Sequence, residues 1–246
     1  GFNRFEISGP DANGFVERIF CGNITQKSGR VSLGYLLNDL GMIKSEATIS
    51  NIPASDRGPK RMWYGSAAAS EFHDMDWLEQ NINTDEDVEI RSLTNDQTIL
   101  LIAGPKAREV LSKCSREDWS KEAFPWLSIR ECFIGFSAAT VMSVSFSGEL
   151  AYEVHVPNES LYAAYLTLFK AGEEFGMKLF GSRAVESMRM EKGFLAWKSD
   201  LLTEFDPYET GLERFVNLSK DNFIGKKTLQ KRINNGLNQK LVCLQV

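Results

Sequence analysis

Short segments of alternating apolar and polar residues recur along the chain, and each predicts a β-strand. Between them, apolar residues at helical spacing predict helices after Gly9-Pro10 and after Gly104-Pro105, because Pro suits the first helical turn. The strand candidates are residues 31–38, 43–50, 61–67, 88–93, 98–103, 129–134 and 140–146. Further helices are predicted from Asn158 or Ser160 to Gly172 and over about Ser182–Lys192.

Several local predictions follow from turn and cap residues. Residues 88–93 and 98–103 predict one hairpin that turns at Asn95-Asp96. Asp74 is predicted to cap the helix that carries Trp77 and Leu78. The polar run at 230–240 predicts a linker.

These elements predict an α+β fold with mixed and antiparallel sheets and packed helices, because the regular strand–helix alternation of a doubly wound sheet is missing. The Gly-Pro helix start occurs twice, with strands after each occurrence. This repetition indicates two similar β/α halves.

Glu153 is the most informative single residue. The segment 146–157 predicts a strand end, a tight turn at Ser147-Gly148 and a second strand. Alternation in that second strand places Tyr152 and Glu153 on opposite faces. A carboxylate in mid-strand either faces water or meets a ligand with paired N–H donors, such as the ring N–H and exocyclic amine of a pterin or a guanine.

Other candidate residues are less distinctive. The rings of Phe146 and Tyr152 either wall such a ligand or belong to the core. Glu46 lies on the predicted strand at 43–50 and its pattern alone favours an exposed position. Arg189 and Glu186, three residues apart on a helix, are explained by an ordinary surface pair.

Composition excludes several classes of function. The net charge of −5 and the lack of a basic run argue against nucleic acid and against a polybasic membrane anchor. Four cysteines without a CxxC spacing and two histidines give no expected metal site. We find neither a dinucleotide fingerprint nor a nucleophile elbow, so FAD or NAD binding by this segment is not expected.

Seven motifs, in order along the chain, resemble the folate-binding module of the glycine-cleavage T-protein (aminomethyltransferase) superfamily. They are FEISGPDA (5–12), GYLLNDLGMI (34–43), LIAGPKAREVL (101–111), FSGELAYEVHVP (146–157), SMRMEKGF (187–194), PYETGL (207–212) and NFIGKKTL (222–229). Four longer segments resemble the subgroup fused to FAD-dependent dimethylglycine and sarcosine dehydrogenases, and favour the dimethylglycine side. These segments are residues 65–80, 123–131, 184–197 and 240–246.

The resemblance implies tetrahydrofolate as cofactor and the capture of the one-carbon unit released when dimethylglycine or sarcosine is oxidised, giving methylene-tetrahydrofolate. It implies Glu46 as the acid near the reacting folate nitrogens, where the superfamily usually has Asp. It implies Glu153 as the pterin-binding glutamate and Phe146 as the aromatic residue seven positions earlier, commonly Tyr in the fused subgroup. Val185 and Glu186 replace the Arg and Asp of the T-protein Ala-Arg-Asp motif, which disfavours an aminomethyl-lipoyl donor.

The resemblance also implies a domain plan. Residues 1–232 form the folate-binding domain, and residues 233–246 form a linker and the start of a C-terminal barrel domain. A start at Gly1 and an end at the strand-like LVCLQV lead us to expect an excerpt of a longer polypeptide. Its FAD oxidoreductase domain would lie upstream or in the same complex, with no membrane partner, in the cytoplasm of a bacterium or the mitochondrial matrix of a eukaryote.

Three alternatives stay open at this point. The chain is a non-catalytic folate-binding or regulatory module, a folate-dependent demethylase of another methylated osmolyte, or a scaffold with a degenerate pocket.

Overall fold

The computed structural model describes residues 2–56, 58 and 60–244. These residues form two compact units, which are described separately below. Unit 1 takes its residues from Gly1–Lys27, Val31–Ser92 and Leu195–Val246, and unit 2 takes them from Ser28–Arg30 and Leu93–Phe194. Neither unit is a continuous stretch of sequence.

Unit 1 is built on a five-stranded sheet in the order β2-β3-β4-β1-β5. β1 pairs antiparallel with β4 and β5, and β3 pairs antiparallel with β4. The strands are β1 (Phe2–Ser8), β2 (Arg30–Leu37), β3 (Ile43–Ile52), β4 (Arg61–Ala67) and β5 (Glu89–Ser92), and the helices are α1 (Ala12–Ile19), α2 (Glu71–Gln80) and α6 (Lys226–Asn235).

Two apolar clusters hold unit 1 together. One joins Phe5 and Tyr64 of the sheet to Phe15 of α1 and Leu78 of α2. The other is made largely by β2, β3 and the part of unit 1 that begins at Leu195, called the C-terminal segment below. Its members are Cys21, Tyr35, Leu37, Ile43, Trp197, Leu201, Leu212, Phe223 and Leu229. The C-terminal segment therefore completes the core of unit 1 although about 100 residues of chain separate it from β5.

Unit 2 contains a four-stranded antiparallel sheet in the order β6-β9-β8-β7. Its strands are β6 (Gln97–Ala103), β7 (Ile129–Ile134), β8 (Ser137–Met142) and β9 (Ala151–Pro157), and its helices are α3 (Ala107–Cys114), α4 (Leu161–Gly172) and α5 (Ser182–Glu191). One apolar cluster joins the sheet to α3, α4 and the buried rings of Trp119 and Phe124.

The structure confirms the α+β class, with antiparallel sheets and packed helices. The two Gly-Pro turns share a geometry, because the amides of Ala12 and Ala107 donate to the carbonyls of Gly9 and Gly104 at 3.2 and 3.1 Å. Each turn follows a strand and leads into a helix. No helix within the described ranges has the length and apolar character that crossing a bilayer requires.

The hairpin predicted at Asn95-Asp96 is wrong. β5 pairs with β1 in the sheet of unit 1, whereas β6 pairs with β9 in the sheet of unit 2. Alternation along a strand fixes which side chains face the core but not which strand is its partner. Here both strands take partners that are distant in sequence.

Two other predicted segments are shorter than expected. The strand predicted at 140–146 ends at Met142, and Phe146 lies in an irregular segment after it. The predicted linker at 230–240 is helical as far as Asn235, because Leu229 and Ile233 place one apolar face of α6 in the core of unit 1. The domain boundary at 232 stays a prediction. Residues 241–244 have no regular structure, and the last two residues of the predicted barrel strand lie outside the described residues.

Candidate functional site

Glu153 lies in the middle of β9, on the face opposite the core of unit 2. Its neighbours on the chain, Tyr152 and Val154, are fully buried in that core. Across the sheet, Glu153 lies between Leu101 of β6 and Met142 of β8. The side chain is 13% exposed, so an acid that has little contact with water occupies this position.

His155 fixes one oxygen of this carboxylate. Its Nε2 atom lies 3.1 Å from Glu153 Oε2, and the imidazole is itself 2% exposed. Within residues 2–56, 58 and 60–244, no lysine or arginine forms an ion pair with Glu153. An ionised carboxylate accepts hydrogen bonds at both oxygens, so Glu153 keeps capacity for a neutral or cationic donor pair.

The two aromatic candidates differ in exposure. Phe146 is half-buried in the segment between β8 and β9. Tyr152 is fully buried, and its ring stacks on Phe124 at 6.1 Å and meets Trp119 edge-on at 6.3 Å. Of the two alternatives for Tyr152, ligand contact or core residue, the structure favours the core, because the ring has no exposed surface with which to contact a ligand. Burial raises the pKa of the Tyr152 hydroxyl, and the nearby Arg108 guanidinium opposes the rise.

Glu46 belongs to unit 1, whereas Glu153, Phe146 and Tyr152 belong to unit 2. It is a half-buried residue of β3, between the buried Ser45 and Ala47. Burial raises the pKa of the Tyr35 hydroxyl on β2, and the negative charge of Glu46 raises it further. The Glu46 carboxylate therefore lies close enough to Tyr35 to influence its ionisation.

Sequence reasoning missed the environment of Asp74. This residue lies in the first turn of α2 and does not cap it, so the cap prediction is wrong. Its Oδ2 atom accepts hydrogen bonds from four hydroxyls, and its Oδ1 atom lies 2.9 Å from His73 Nδ1. The four hydroxyls belong to Ser45, Tyr64, Ser66 and Ser70. All of them are buried, and the buried carboxylate satisfies their donors.

A signal for this cluster was present in the sequence. Ser45 and Tyr64 fall on the inward-facing positions of β3 and β4, where the alternation otherwise places apolar residues. Buried hydroxyls need a partner, and a carboxylate elsewhere in the chain is a suitable acceptor. Burial raises the pKa of Tyr64 well above its usual value, and the charge of Asp74 adds to this effect.

The segment around PYETGL (207–212) contains an ion-pair network. Asp206 and Glu209 are both buried, and Arg232 of α6 reaches both of them. Arg232 Nε donates to Asp206 Oδ2 at 2.8 Å, and Nη2 donates to Glu209 Oε1 at 3.3 Å. Asp206 Oδ1 also accepts the amides of Tyr208 and Glu209 at 2.9 Å. The network therefore attaches this segment to α6.

Arg189 and Glu186 form the predicted ion pair, but Arg189 is not a surface residue. Its side chain is buried, and it donates to the Phe194 carbonyl at 2.8 Å as well as to the exposed Glu186 carboxylate. Because Phe194 follows the end of α5, Arg189 closes the C-terminal turn of that helix.

Residues 1–220 match the family model described as the GCVT N-terminal domain, and the chain belongs to that family. The resemblance inferred from the seven motifs is thereby confirmed.

The chain is similar to dimethylglycine dehydrogenase from Rattus norvegicus, with 34% identity over 99% of the chain and 28% of the relative. It is similar to sarcosine dehydrogenase from Mus musculus, with 30% identity over 100% of the chain and 28% of the relative. The chain thus spans little more than a quarter of the length of these curated relatives. The fold matches a glycine cleavage system aminomethyltransferase T from Bartonella henselae with a TM-score of 0.81 and 19% identity, covering 96% of this chain and 62% of that one.

Proposed function

We propose that this chain binds tetrahydrofolate and transfers to it the one-carbon unit of an oxidised N-methyl amine, giving methylene-tetrahydrofolate. The observation that carries the proposal is the state of Glu153, a shielded carboxylate that His155 holds and that has no lysine or arginine partner among the described residues. The chain's membership of the GCVT N-terminal domain family supports the choice of a folate as the ligand.

The Glu153 carboxylate is chemically complementary to the amine edge of a folate's pterin ring. A pterin presents a ring N–H beside an exocyclic amine, and an ionised carboxylate accepts such a pair through two parallel charge-assisted hydrogen bonds. A paired lysine or arginine would compete for these oxygens, and the described part of the chain supplies none to Glu153. Bound tetrahydrofolate supplies the nitrogen atoms that accept a one-carbon unit.

Phe146 would line the ligand with its half-buried ring, and Tyr152 would support β9 from the core side. We assign the proton-handling role to Glu46. A half-buried carboxylate is suited to orient a reacting nitrogen or to accept its proton. The resemblance supplies this assignment, and Glu46 has one methylene more than the Asp that is usual in the superfamily.

The proposed one-carbon donor is the product of dimethylglycine or sarcosine oxidation, delivered by an FAD oxidoreductase domain in the same polypeptide or complex. Similarity to dimethylglycine and sarcosine dehydrogenases supports this donor. Val185 and Glu186, at the place of the Arg and Asp of the T-protein motif, argue against an aminomethyl-lipoyl donor.

The test is the fate of the one-carbon unit during amine oxidation by the full polypeptide. With tetrahydrofolate present, dimethylglycine turnover should yield methylene-tetrahydrofolate and little free formaldehyde. Glu46→Gln should shift the product to formaldehyde while amine oxidation continues. The control is Glu89→Gln, which alters an exposed strand glutamate of β5 in the same unit.

Three results would contradict the proposal in different ways. Folate binding with unchanged transfer in Glu46→Gln would indicate a folate-binding module in which Glu46 has no catalytic part. No folate binding would favour a scaffold. Transfer only with other methylated amines in a substrate panel would favour a demethylase of another osmolyte.

A further inference from the structure

The three residues that precede Glu46 on β3 are each anchored within unit 1. The amide of Ile43 donates to the Phe205 carbonyl at 2.8 Å. The Lys44 carbonyl accepts the indole N–H of Trp197 at 3.1 Å. The hydroxyl of Ser45 donates to Asp74 Oδ2 at 3.0 Å. These anchors add to the sheet hydrogen bonds that hold any strand in place.

His73 joins two of these anchors to each other. Its ring centroid lies 5.3 Å from that of Trp197, and its Nδ1 atom lies 2.9 Å from Asp74 Oδ1. Trp197, His73 and Asp74 therefore form one connected set of contacts, which we call the β3 clamp. One end of the clamp holds the backbone of Lys44, and the other end holds the side chain of Ser45.

Asp74 is the shared acceptor at one end of the clamp. An ionised carboxylate only accepts hydrogen bonds, and all four surrounding hydroxyls lie within hydrogen-bond distance of the same oxygen, Asp74 Oδ2. Asn in its place would keep one acceptor oxygen and would present its NH2 group either to these hydroxyls or to His73 Nδ1, so one of the two sets of contacts would change. Buried networks of this kind stabilise one arrangement only when every member is satisfied.

We propose that the β3 clamp positions the Glu46 carboxylate for the one-carbon transfer, with Asp74 and Trp197 as positioning residues. Because side chains alternate along a strand, fixing Ser45 inward fixes the outward direction of Glu46. Displacement of a reacting group by about 1 Å costs on the order of 100-fold in rate. This inference rests on the proposed role of Glu46.

Two substitutions with matched controls test the clamp. Asp74→Asn removes the charge, and Trp197→Phe removes the hydrogen bond to Lys44. The controls are Asp76→Asn, which changes an exposed acid two residues further along α2, and Trp77→Phe, which changes a half-buried indole on the same helix. Ser45→Ala is a milder variant that removes one hydroxyl and serves if Asp74→Asn does not fold.

Two readouts are compared for each variant of the full polypeptide. Amide hydrogen exchange of the segment 43–47, measured without ligand, should be faster in Asp74→Asn and Trp197→Phe and unchanged in both controls. The kcat for one-carbon transfer should fall about 10- to 100-fold, while the KM for tetrahydrofolate stays within about threefold. Ser45→Ala should show a smaller change in the same direction.

The outcomes separate this inference from the proposed function. If Glu46→Gln abolishes transfer but both clamp variants keep kcat within twofold, the clamp does not position Glu46. Unchanged hydrogen exchange in the clamp variants would also overturn the inference. If Glu46→Gln itself has no effect, its catalytic role fails and the positioning proposal fails with it.

Discussion

Replacing Arg232 with Met leaves two buried carboxylates without their cation. Asp206 and Glu209 are almost fully buried, and Arg232 is hydrogen-bonded to both. Breaking a buried ion pair by removing one partner costs about 3–5 kcal/mol. Two features reduce that cost, because the Arg232 side chain is 32% exposed and Asp206 keeps two backbone N–H donors. We therefore expect a loss of about 2–3 kcal/mol in the free energy of unfolding.

The assay is thermal and urea unfolding of Arg232→Met beside a matched control. Lys113→Met removes the cation of an ion pair whose side chains are 45% and 55% exposed, and we expect it to cost below about 1 kcal/mol. At about 2–4 °C per kcal/mol, Arg232→Met should lower Tm by about 4–12 °C. Adding Asp206→Asn to Arg232→Met should cost less than the sum of the two single changes, because one of the two stranded charges is then absent.

One pair of results would refute this reasoning. If Arg232→Met and Lys113→Met lower Tm by the same small amount, the network around PYETGL contributes no more than a surface pair. Strict additivity of the double variant would show that Arg232 and Asp206 are not coupled.

Three further predictions concern the fold and the site. Gly41→Ala should lower the free energy of unfolding by more than about 1 kcal/mol, because φ is +76° and the new Cβ would lie 2.9 Å from the Leu229 amide nitrogen. Gly14→Ala in α1, with open space around the new Cβ, should instead raise it by about 0.5–1 kcal/mol in urea unfolding. Equal effects of the two substitutions would contradict this. A thiol reagent at pH 8 should label the exposed Cys243 rapidly. It should label the buried Cys21 and Cys114 slowly, because burial raises the pKa of these two thiols to about 12 and about 11. Fast labelling of either buried thiol would contradict this. Tyr152→Phe should keep folate affinity within twofold, since this ring belongs to the core; a larger loss in a calorimetric titration would restore Tyr152 as a ligand contact.

The sequence predicts those features that depend on local pattern. Strands β4 and β7 occupy the predicted residues, and Glu153 lies on the predicted face of β9 because side-chain alternation has a fixed period of two. Alternation also separates Tyr152 from Glu153, so the core position of Tyr152 follows from the same pattern. The interpretation of Tyr152 as a ligand contact rests on its aromatic ring, whereas its position on the core-facing side of β9 favours the core.

Features that depend on long-range contacts were not predictable in the same way. β5 takes β1 as partner, and Arg232 pairs with Asp206, at sequence separations that no local pattern encodes. The acceptor for the inward-facing hydroxyls of Ser45 and Tyr64 is Asp74. From the sequence alone, Asp74 is predicted to be a helix cap. Buried polar residues in an apolar pattern indicate that a partner exists, but only the fold identifies it.

The central claim is that Glu153 binds the pterin edge of tetrahydrofolate. The affinity of the protein for tetrahydrofolate, with and without the Glu153 carboxylate, tests that claim most directly. We expect the full polypeptide to bind tetrahydrofolate, and Glu153→Gln to weaken binding by about 2–5 kcal/mol, at least about 30-fold in Kd. Glu89→Gln, the exposed strand control, should bind as the unaltered protein does. A loss well under about 1 kcal/mol in Glu153→Gln, or no binding by the unaltered protein, would contradict the account.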